Sequence, residues 1–299
     1  MASSKGCFKN GCFGCLGLLA LVLVVMGIIA LMGWKDSRNT LPVDTVLTPE
    51  GPRTVPDNAL FRRGGLVRLN LSEGEFRLKP AAAGEGLRVD AVYDDAMYDL
   101  EQGFTVMPDS TWEYQLDFQQ TKTGLRAFMR AIFSKGPNTR LTVYLPRDIP
   151  IDLDARAAKG GLDVELGGLR VRQASLEANL GGLALGVDEP LAQPMQSLRL
   201  KVGVGGLEAD DLGNASPARL DINCHMGGAE VGLAGAWLND CRARLELDMG
   251  GMEINVPEGM KLVDGWPDEP LSGEQEVDSG VPVLYFEKHT KRGEIEFTR

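Results

Sequence analysis

One pattern occurs four times in this chain, as SLEANLGGLALGV (175–187), RLKVGVGGLEADD (199–211), LDINCHMGGAEVGL (220–233) and LELDMGGMEINVP (245–257). Each copy has an alternating apolar-polar run, a Gly-Gly pair and a second alternating run, which predicts two short strands joined at a corner. A fifth pair precedes them, and successive pairs are 21, 24, 22 and 23 residues apart. This near-constant period is typical of repeats that stack. The expected corner glycines are Gly160 and Gly161, Gly181 and Gly182, Gly205 and Gly206, Gly227 and Gly228, and Gly250 and Gly251.

Alternation also predicts which residues face the core. Before the corners we expect these inward sets: Leu176, Ala178, Leu180; Leu200, Val202, Val204; Ile222, Cys224, Met226; and Leu245, Leu247, Met249. After the corners we expect Leu183, Leu185, Leu207, Ala209, Ala229, Val231, Met252 and Ile254 to face inward. The inward position then steps by three across a corner, as from Met249 to Met252. The sequence therefore predicts an all-β, single-domain β-solenoid of about 22-residue strand–Gly-Gly–strand repeats, with a β-sandwich of many short strands as the alternative.

The outward positions carry charge in two different patterns. Before the corners, Arg199, Asp221 and Arg244 fall at equivalent places, so opposite charges should alternate and favour this register. After the corners the predicted residues are acidic: Asp163, Glu208, Asp210, Glu230 and Glu253. Like charges facing one another are destabilising, so this acidic set is either a solvated stripe that aids solubility or a surface for a cation or a basic partner.

The N-terminal region contains a candidate membrane anchor. Residues 11–34 include no charged side chain and are long enough to cross about 30 Å of hydrocarbon as a helix. The alternative, a cleaved signal peptide, normally has a shorter apolar region of about 7–15 residues. Lys5 and Lys9 are nearly balanced by Lys35 and Arg38. We expect a single-pass protein of the cytoplasmic (inner) membrane, with the tail 1–10 inside and the C-terminal domain periplasmic or extracellular.

Three further segments complete the predicted organisation. Residues 35–63 contain Pro42, Pro49, Pro52 and Pro56 and form a linker to the solenoid domain, 64–264. Within that domain, residues 123–136 have an apolar face and a basic face, which predicts a short amphipathic helix that covers the solenoid end or lies on the membrane surface. Residues 265–299 are expected to form a C-terminal hairpin that caps the other end.

Composition and motifs argue against several kinds of chemistry. The net charge of −11 opposes binding to nucleic acid. The chain has no His-Glu-x-x-His, Gly-x-Ser-x-Gly or Walker motif. Its two histidines, His225 and His289, are expected at an outward strand position and in the turn of the terminal hairpin. Glu208 and Asp210 form an acid pair, but a water-exposed strand does not favour acid catalysis. We therefore expect no enzyme activity, no cofactor and no metal site.

The cysteines do not predict a disulfide. Cys224 and Cys241 differ by six residues in their position relative to the following Gly-Gly pair, about 20 Å along a strand. A disulfide requires Cα atoms within about 7 Å, so two separate thiols are expected. Cys7, Cys12 and Cys15 lie at the entrance to the apolar segment, where they serve helix packing or crosslink neighbouring copies.

The repeats resemble a family of bacterial envelope solenoids. LTVYLPRDIPIDLDARAAKGGLDVELGGL (141–169) and GGMEINVPEGMKLV (250–263) are similar to adhesin-type domains and to the C-terminal domains of cell-wall-active-antibiotics response proteins, also called toast-rack domains. The resemblance covers roughly 66–263. It implies a non-enzymatic domain attached to the membrane and associated with envelope-stress sensing or surface interaction. This chain departs from the family in having one predicted anchor and in the basic segment 123–136.

Two functions follow as hypotheses. The first is a non-catalytic, membrane-tethered module that binds or senses an envelope protein or a cell-wall component. The second is a structural scaffold in which copies of the solenoid assemble end to end, so that the partner is a homo-oligomer. Capped ends would favour the first hypothesis and bare strand edges the second.

Overall fold

The computed structural model describes residues 45–46, 64–94, 97–121, 139–266 and 281–299. The predicted anchor 11–34, the tail 1–10 and the predicted helix 123–136 lie outside these residues. Across the described ranges, no helix has the length and apolar character needed to cross a membrane. Two residues of the predicted linker, Thr45–Val46, form a short strand.

Every element in the described ranges is a strand, apart from one turn of 3₁₀-helix at Leu212–Asn214. The strands form one 13-stranded sheet. They are β1 (Thr45–Val46), β2 (Gly65–Pro80), β3 (Arg88–Val92), β4 (Tyr98–Val106), β5 (Trp112–Gln120), β6 (Arg140–Leu145), β7 (Ile151–Glu165), β8 (Val171–Gly186), β9 (Ser197–Asp210), β10 (Arg219–Gly232), β11 (Cys241–Asn255), β12 (Lys261–Asp264) and β13 (Val283–Thr298).

Seven long strands lie side by side in the order β2-β7-β8-β9-β10-β11-β13, and every neighbouring pair is parallel. The corner glycines are aligned across this stack, so that Gly181 pairs with Gly205, Gly205 with Gly227, and Gly227 with Gly250. The predicted repeat register is confirmed. Parallel pairing of consecutive repeats also differs from the antiparallel arrangement of the β-sandwich alternative.

Each long strand bends at its glycine corner, and we call the part before the corner the leading arm and the part after it the trailing arm. Aliphatic side chains from both arms are buried in one continuous core. On β8, for example, Leu176 and Ala178 of the leading arm and Leu183 and Leu185 of the trailing arm are almost completely buried. Burial of these side chains stabilises both arms, because apolar surface on each side of the corner is removed from water.

The prediction was wrong for the residue directly before each corner. Leu180, Val204, Met226 and Met249 were expected in the core, but their side chains are 40–52% exposed. The inward position steps by five residues across the corner, from Ala178 to Leu183, and not by three. The alternation of buried and exposed side chains therefore ends at Ala178, before the Gly-Gly pair, and Leu180 is already exposed.

The N-terminal end of the stack is covered. β5 pairs with the leading arm of β2 and with β4, while β6 pairs with the trailing arm of β2 and with β3. Beneath these strands Phe118 packs edge-on against Phe76 and stacks on Tyr98, with ring centroids 6.1 and 5.0 Å apart. Tyr114 is fully buried, and its hydroxyl group donates a hydrogen bond of 3.0 Å to Gln102.

The C-terminal end differs from the predicted hairpin. Residues 283–298 form a single strand, β13, which runs parallel to β11 and bends at Gly293 as a further repeat. His289 therefore lies within a strand and not in a turn. β12 pairs with β13 only as far as Phe286, and no other described strand pairs with its outer edge. The prediction of a hairpin was wrong. Arg292-Gly293-Glu294 lacks the second glycine of the pattern, so the sequence did not identify this segment as a further repeat.

Candidate interaction groove

The first glycine of each pair is required by the backbone. Its φ lies between +116° and +149° in the five pairs, a region that other residues rarely adopt. A Cβ atom added to Gly205 would lie 1.7 Å from the carbonyl oxygen of Gly181 in the preceding repeat, and the other pairs give 1.7–1.9 Å. The atom that it meets is rigid backbone, so no side chain fits at these positions without disrupting the stack.

The second glycine has no such requirement. A Cβ atom added to Gly161, Gly206, Gly228 or Gly251 would meet nothing within 4 Å, and none of these residues has a positive φ. The terminal repeats confirm that a side chain is accommodated here. Glu75 of β2 pairs with Gly161, and Glu294 of β13 pairs with Gly251. The consecutive glycines at this position are therefore not explained by the fold.

These second glycines form the floor of a groove of about 930 Å³ on the outer surface of the trailing arms. The groove crosses the strands from β7 to β13 and ends beside Glu294 and Glu296. Because the floor is bare backbone, a ligand can approach the main chain closely along the whole groove.

An acidic row follows the groove on its trailing side. Glu208, Glu230 and Glu253 are direct neighbours in register, and Glu296 extends the row. Asp163 belongs to the same row but is separated from Glu208 by Ala184. All of these residues line the groove, whereas Asp210 lies two residues beyond Glu208 and does not. The structure thus brings four of the five predicted acidic residues into one groove.

Few basic groups neutralise this row. Asp163 lies 3.7 Å from Arg77, and Glu253 accepts a hydrogen bond of 3.1 Å from the hydroxyl group of Thr298. Within the described ranges, no ion pair or side-chain hydrogen bond involves Glu208 or Glu230. Adjacent strands are about 4.8 Å apart, so carboxylates face one another at a spacing that is unfavourable without a cation between them.

An apolar row precedes the second glycines. Leu180, Val204, Met226 and Met249 pair in register with one another, two residues before the floor. The row ends at a cation on each side, because Leu180 pairs with Lys159 and Met249 with Arg292. The corner glycines separate this row from the groove, whose lining includes the second glycines and the acidic row but none of these four apolar residues.

Strand alternation in the sequence predicted that this apolar row lies in the core, whereas its side chains are exposed. A signal was nevertheless available. Lys159 and Arg292 occupy the same position in the flanking repeats, and a long cationic side chain does not fit a closely packed apolar core. The outward orientation of the row could therefore have been inferred from its two ends.

The leading arms carry a paired set of charges. Lys201 binds Glu177 at 2.9 Å, and Arg199 lies 3.5 Å from Asp221. His225 is exposed as predicted, and its Nδ1 lies 2.6 Å from Asp248, whose other oxygen accepts from Lys291 at 2.8 Å. These two hydrogen bonds lower the pKa of the Asp248 carboxyl group, with the one from Lys291 contributing most.

The described residues contain no cluster suited to metal chemistry. No three of their His, Cys, Asp or Glu side chains are close enough together to hold a metal ion. Cys224 and Cys241 are both buried free thiols, which confirms that they do not pair. Burial raises the pKa of both thiols and so disfavours the reactive thiolate.

Comparison with known proteins adds little. No protein-family model matches the chain, and no curated protein matches it. Among solved structures, a "putative cell adhesion protein" from Clostridium sporogenes is 13% identical with a TM-score of 0.36, over 79% of this chain and 93% of that one. A "putative adhesin" from Bacteroides fragilis is 11% identical with the same TM-score of 0.36, over 88% and 98%. At these values any interaction surface has to be argued from the chain's own residues.

Proposed function

We propose that the chain is a non-catalytic module, tethered by residues 11–34 to the cytoplasmic membrane, that binds a partner in the groove on the outer side of that membrane. One observation carries this proposal. The second glycine is present in five consecutive repeats although the backbone does not need it, and the terminal repeats carry glutamate in its place. An open floor leaves the main chain accessible to a ligand.

The charge pattern supports the same conclusion. A surface that served only solubility could mix both signs, as the leading arms do. The trailing arms instead hold neighbouring carboxylates without a matching set of cations. Such a local conflict is common where a surface is shaped for a partner and not for stability.

The scaffold hypothesis draws on the outer edge of β13, which no described strand pairs beyond Phe286. That edge carries Lys288, Lys291 and Arg292. Charged residues, lysine above all, protect natural strand edges against pairing with another copy. The opposite end is covered by β4, β5 and β3. The covered N-terminal end and the charged edge of β13 support the binding module, whereas the unpaired state of that edge is the feature that end-to-end assembly would need.

Site-specific photocrosslinking in cells tests the proposal. A photoreactive p-benzoyl-phenylalanine replaces Ala184, which lines the groove, or Ser175, which lies on the leading arm of the same strand. We expect an adduct with another protein from position 184 and none from position 175. Adding Gly206→Gln and Gly228→Gln should fill the groove and abolish the adduct. Equal adducts from both positions, or an adduct that survives the filled groove, would contradict the proposal.

A further inference from the structure

The last strand of the stack, β13, has an edge that is open over residues 287–298. β12 pairs with β13 only as far as Phe286, and no other described strand follows on that side. The open stretch is centred on the corner, because residue 287 precedes the peptide bond between Arg292 and Gly293 by as much as residue 298 follows it. An edge with this symmetry can meet the same edge of a second copy, leading arm against trailing arm.

Backbone groups of both arms are directed to this open edge. The N–H group of Gly265 donates a hydrogen bond of 2.9 Å to the carbonyl oxygen of Phe286, on the side away from β11. The N–H group of Val256 donates one of 2.8 Å to the carbonyl oxygen of Thr298, on the side of β11. These groups alternate in direction along a strand, so the inward residues of each arm present theirs to the open edge. The inward residues of the open stretch are Lys288, Thr290, Ile295 and Phe297.

A two-fold axis through the corner sets each leading arm antiparallel to the trailing arm of the other copy. Thr290 then faces Ile295 of the second copy, and Lys288 faces Phe297. Each such pair can exchange both backbone hydrogen bonds. All four residues pair with buried core residues of β11, so their side chains lie on the core side of the sheet and the two cores meet. The alkyl stem of Lys288 covers the phenylalanine ring while its ammonium group extends to water.

The outward side chains of this edge are complementary in charge. The same register places Lys291 opposite Glu294 of the second copy, and His289 opposite Glu296. Across the described ranges, neither glutamate has an ion-pair partner within its own chain. Parallel alignment of the two edges would instead set Lys291 against Lys291. The charges of the edge thus oppose other pairings and favour this one.

We infer that the partner of the open edge is a second copy of this chain, joined through antiparallel β13 strands in a closed two-fold dimer. The opposite end of the stack is covered by β3, β4, β5 and β6, so the open edge is used once and assembly stops at two copies. The dimer does not depend on the occupant of the groove.

Charge reversal combined with mixing tests this inference. The full chain is purified in dodecyl maltoside with a reducing agent, which removes crosslinks through cysteine, and its mass is measured by sedimentation. We expect the wild type to form a dimer. Lys291→Glu and Glu294→Lys should each weaken self-association at least about tenfold, because each creates like-charge contacts at both symmetric positions. An equal mixture of the two variants should restore the dimer, since every facing pair is then opposite in charge.

A matched control separates this contact from general charge effects. Asp210 is an exposed carboxylate on β9, three strands from β13. Asp210→Lys should leave the association constant within about twofold of the wild type. Circular dichroism checks that each variant keeps its strand content.

Three outcomes would overturn the inference. The first is a wild type that remains monomeric as its concentration is raised. The second is a dimer that neither Lys291→Glu nor Glu294→Lys weakens, since the contact would then lie elsewhere, as in residues 11–34. The third is a dimer that both variants lose and that mixing does not restore, because the two charges would then act within one chain and not between copies.

Discussion

The leading and trailing arms share one backbone stack and one core, yet their outer surfaces are organised in opposite ways. On the leading arms, neighbouring charges alternate in sign and form pairs such as Lys201 with Glu177. On the trailing arms, Glu208, Glu230 and Glu253 adjoin one another beside a floor without side chains. The same parallel register thus stabilises one surface and strains the other, which indicates that different requirements shaped the two arms.

The largest expected effect separates the two glycines of a single pair. Gly205→Ala places a methyl group against the Gly181 carbonyl oxygen at a positive φ, whereas Gly206→Ala points into open space. We expect the first to lower the free energy of unfolding by at least about 3 kcal/mol. The second should raise it by up to about 1 kcal/mol, because alanine restricts the unfolded chain. Urea denaturation followed by circular dichroism measures both, and equal losses would mean that the second glycine is structural after all.

A second comparison concerns two valines on one leading arm. Val202 is fully buried, whereas Val204 is 42% exposed. Val202→Ala should cost about 2 kcal/mol, since it leaves a cavity in the core. Val204→Ala should change stability by less than about 0.5 kcal/mol. The same denaturation assay applies. If the two variants lost stability equally, the residue before the corner would belong to the core, as alternation alone had predicted.

A smaller effect contrasts one acidic residue from each arm. Glu230 lies between Glu208 and Glu253, whereas Asp221 lies between Arg199 and Arg244. Glu230→Gln should therefore stabilise the chain by a few tenths of a kcal/mol, and Asp221→Asn should destabilise it by a similar amount. Both differences should shrink when thermal melting is repeated in 1 M salt, because exposed charges are screened. The same sign for both variants would refute the contrast between the arms.

Much of this structure could be predicted from the sequence because the repeat is periodic. The spacing of the Gly-Gly pairs predicted the register, and the register predicted that Glu208, Glu230 and Glu253 are neighbours. The exposed row could not be located as easily. Strand alternation distinguishes two faces but does not tell where a bend begins, so Leu180 was assigned to the wrong side.

The two ends of the stack were less predictable for a different reason. β13 carries Gly293 and Glu294 where the five central repeats carry two glycines, so its corner was read as a turn. The N-terminal cover depends on pairing between distant strands, such as β2 with β5, which no local period announces. The groove was only partly predictable. The second glycines that form its floor are visible in the sequence, but only the structure shows that the backbone does not require glycine at these positions.

The smallest expected effect compares Asp248 on the leading arms with Glu230 on the trailing arms. Hydrogen bonds from Lys291 and His225 hold the pKa of Asp248 below its ordinary value of 3.8. A carboxyl group with a lowered pKa stabilises the folded state above that ordinary value, and the contribution is lost as the pH falls through the lower pKa of the folded state. Asp248→Asn should therefore melt at a slightly lower temperature than the wild type at pH 7, and the gap should close below about pH 3.8. Glu230→Gln should melt slightly higher than the wild type at pH 7, because the substitution relieves repulsion from Glu208 and Glu253. Melting temperatures of both variants and the wild type are measured at steps from pH 7 to pH 3. If both variants differed from the wild type with the same sign at pH 7, the acidic row would be compensated as fully as the charges of the leading arms. The groove would then offer no uncompensated charge to a basic partner.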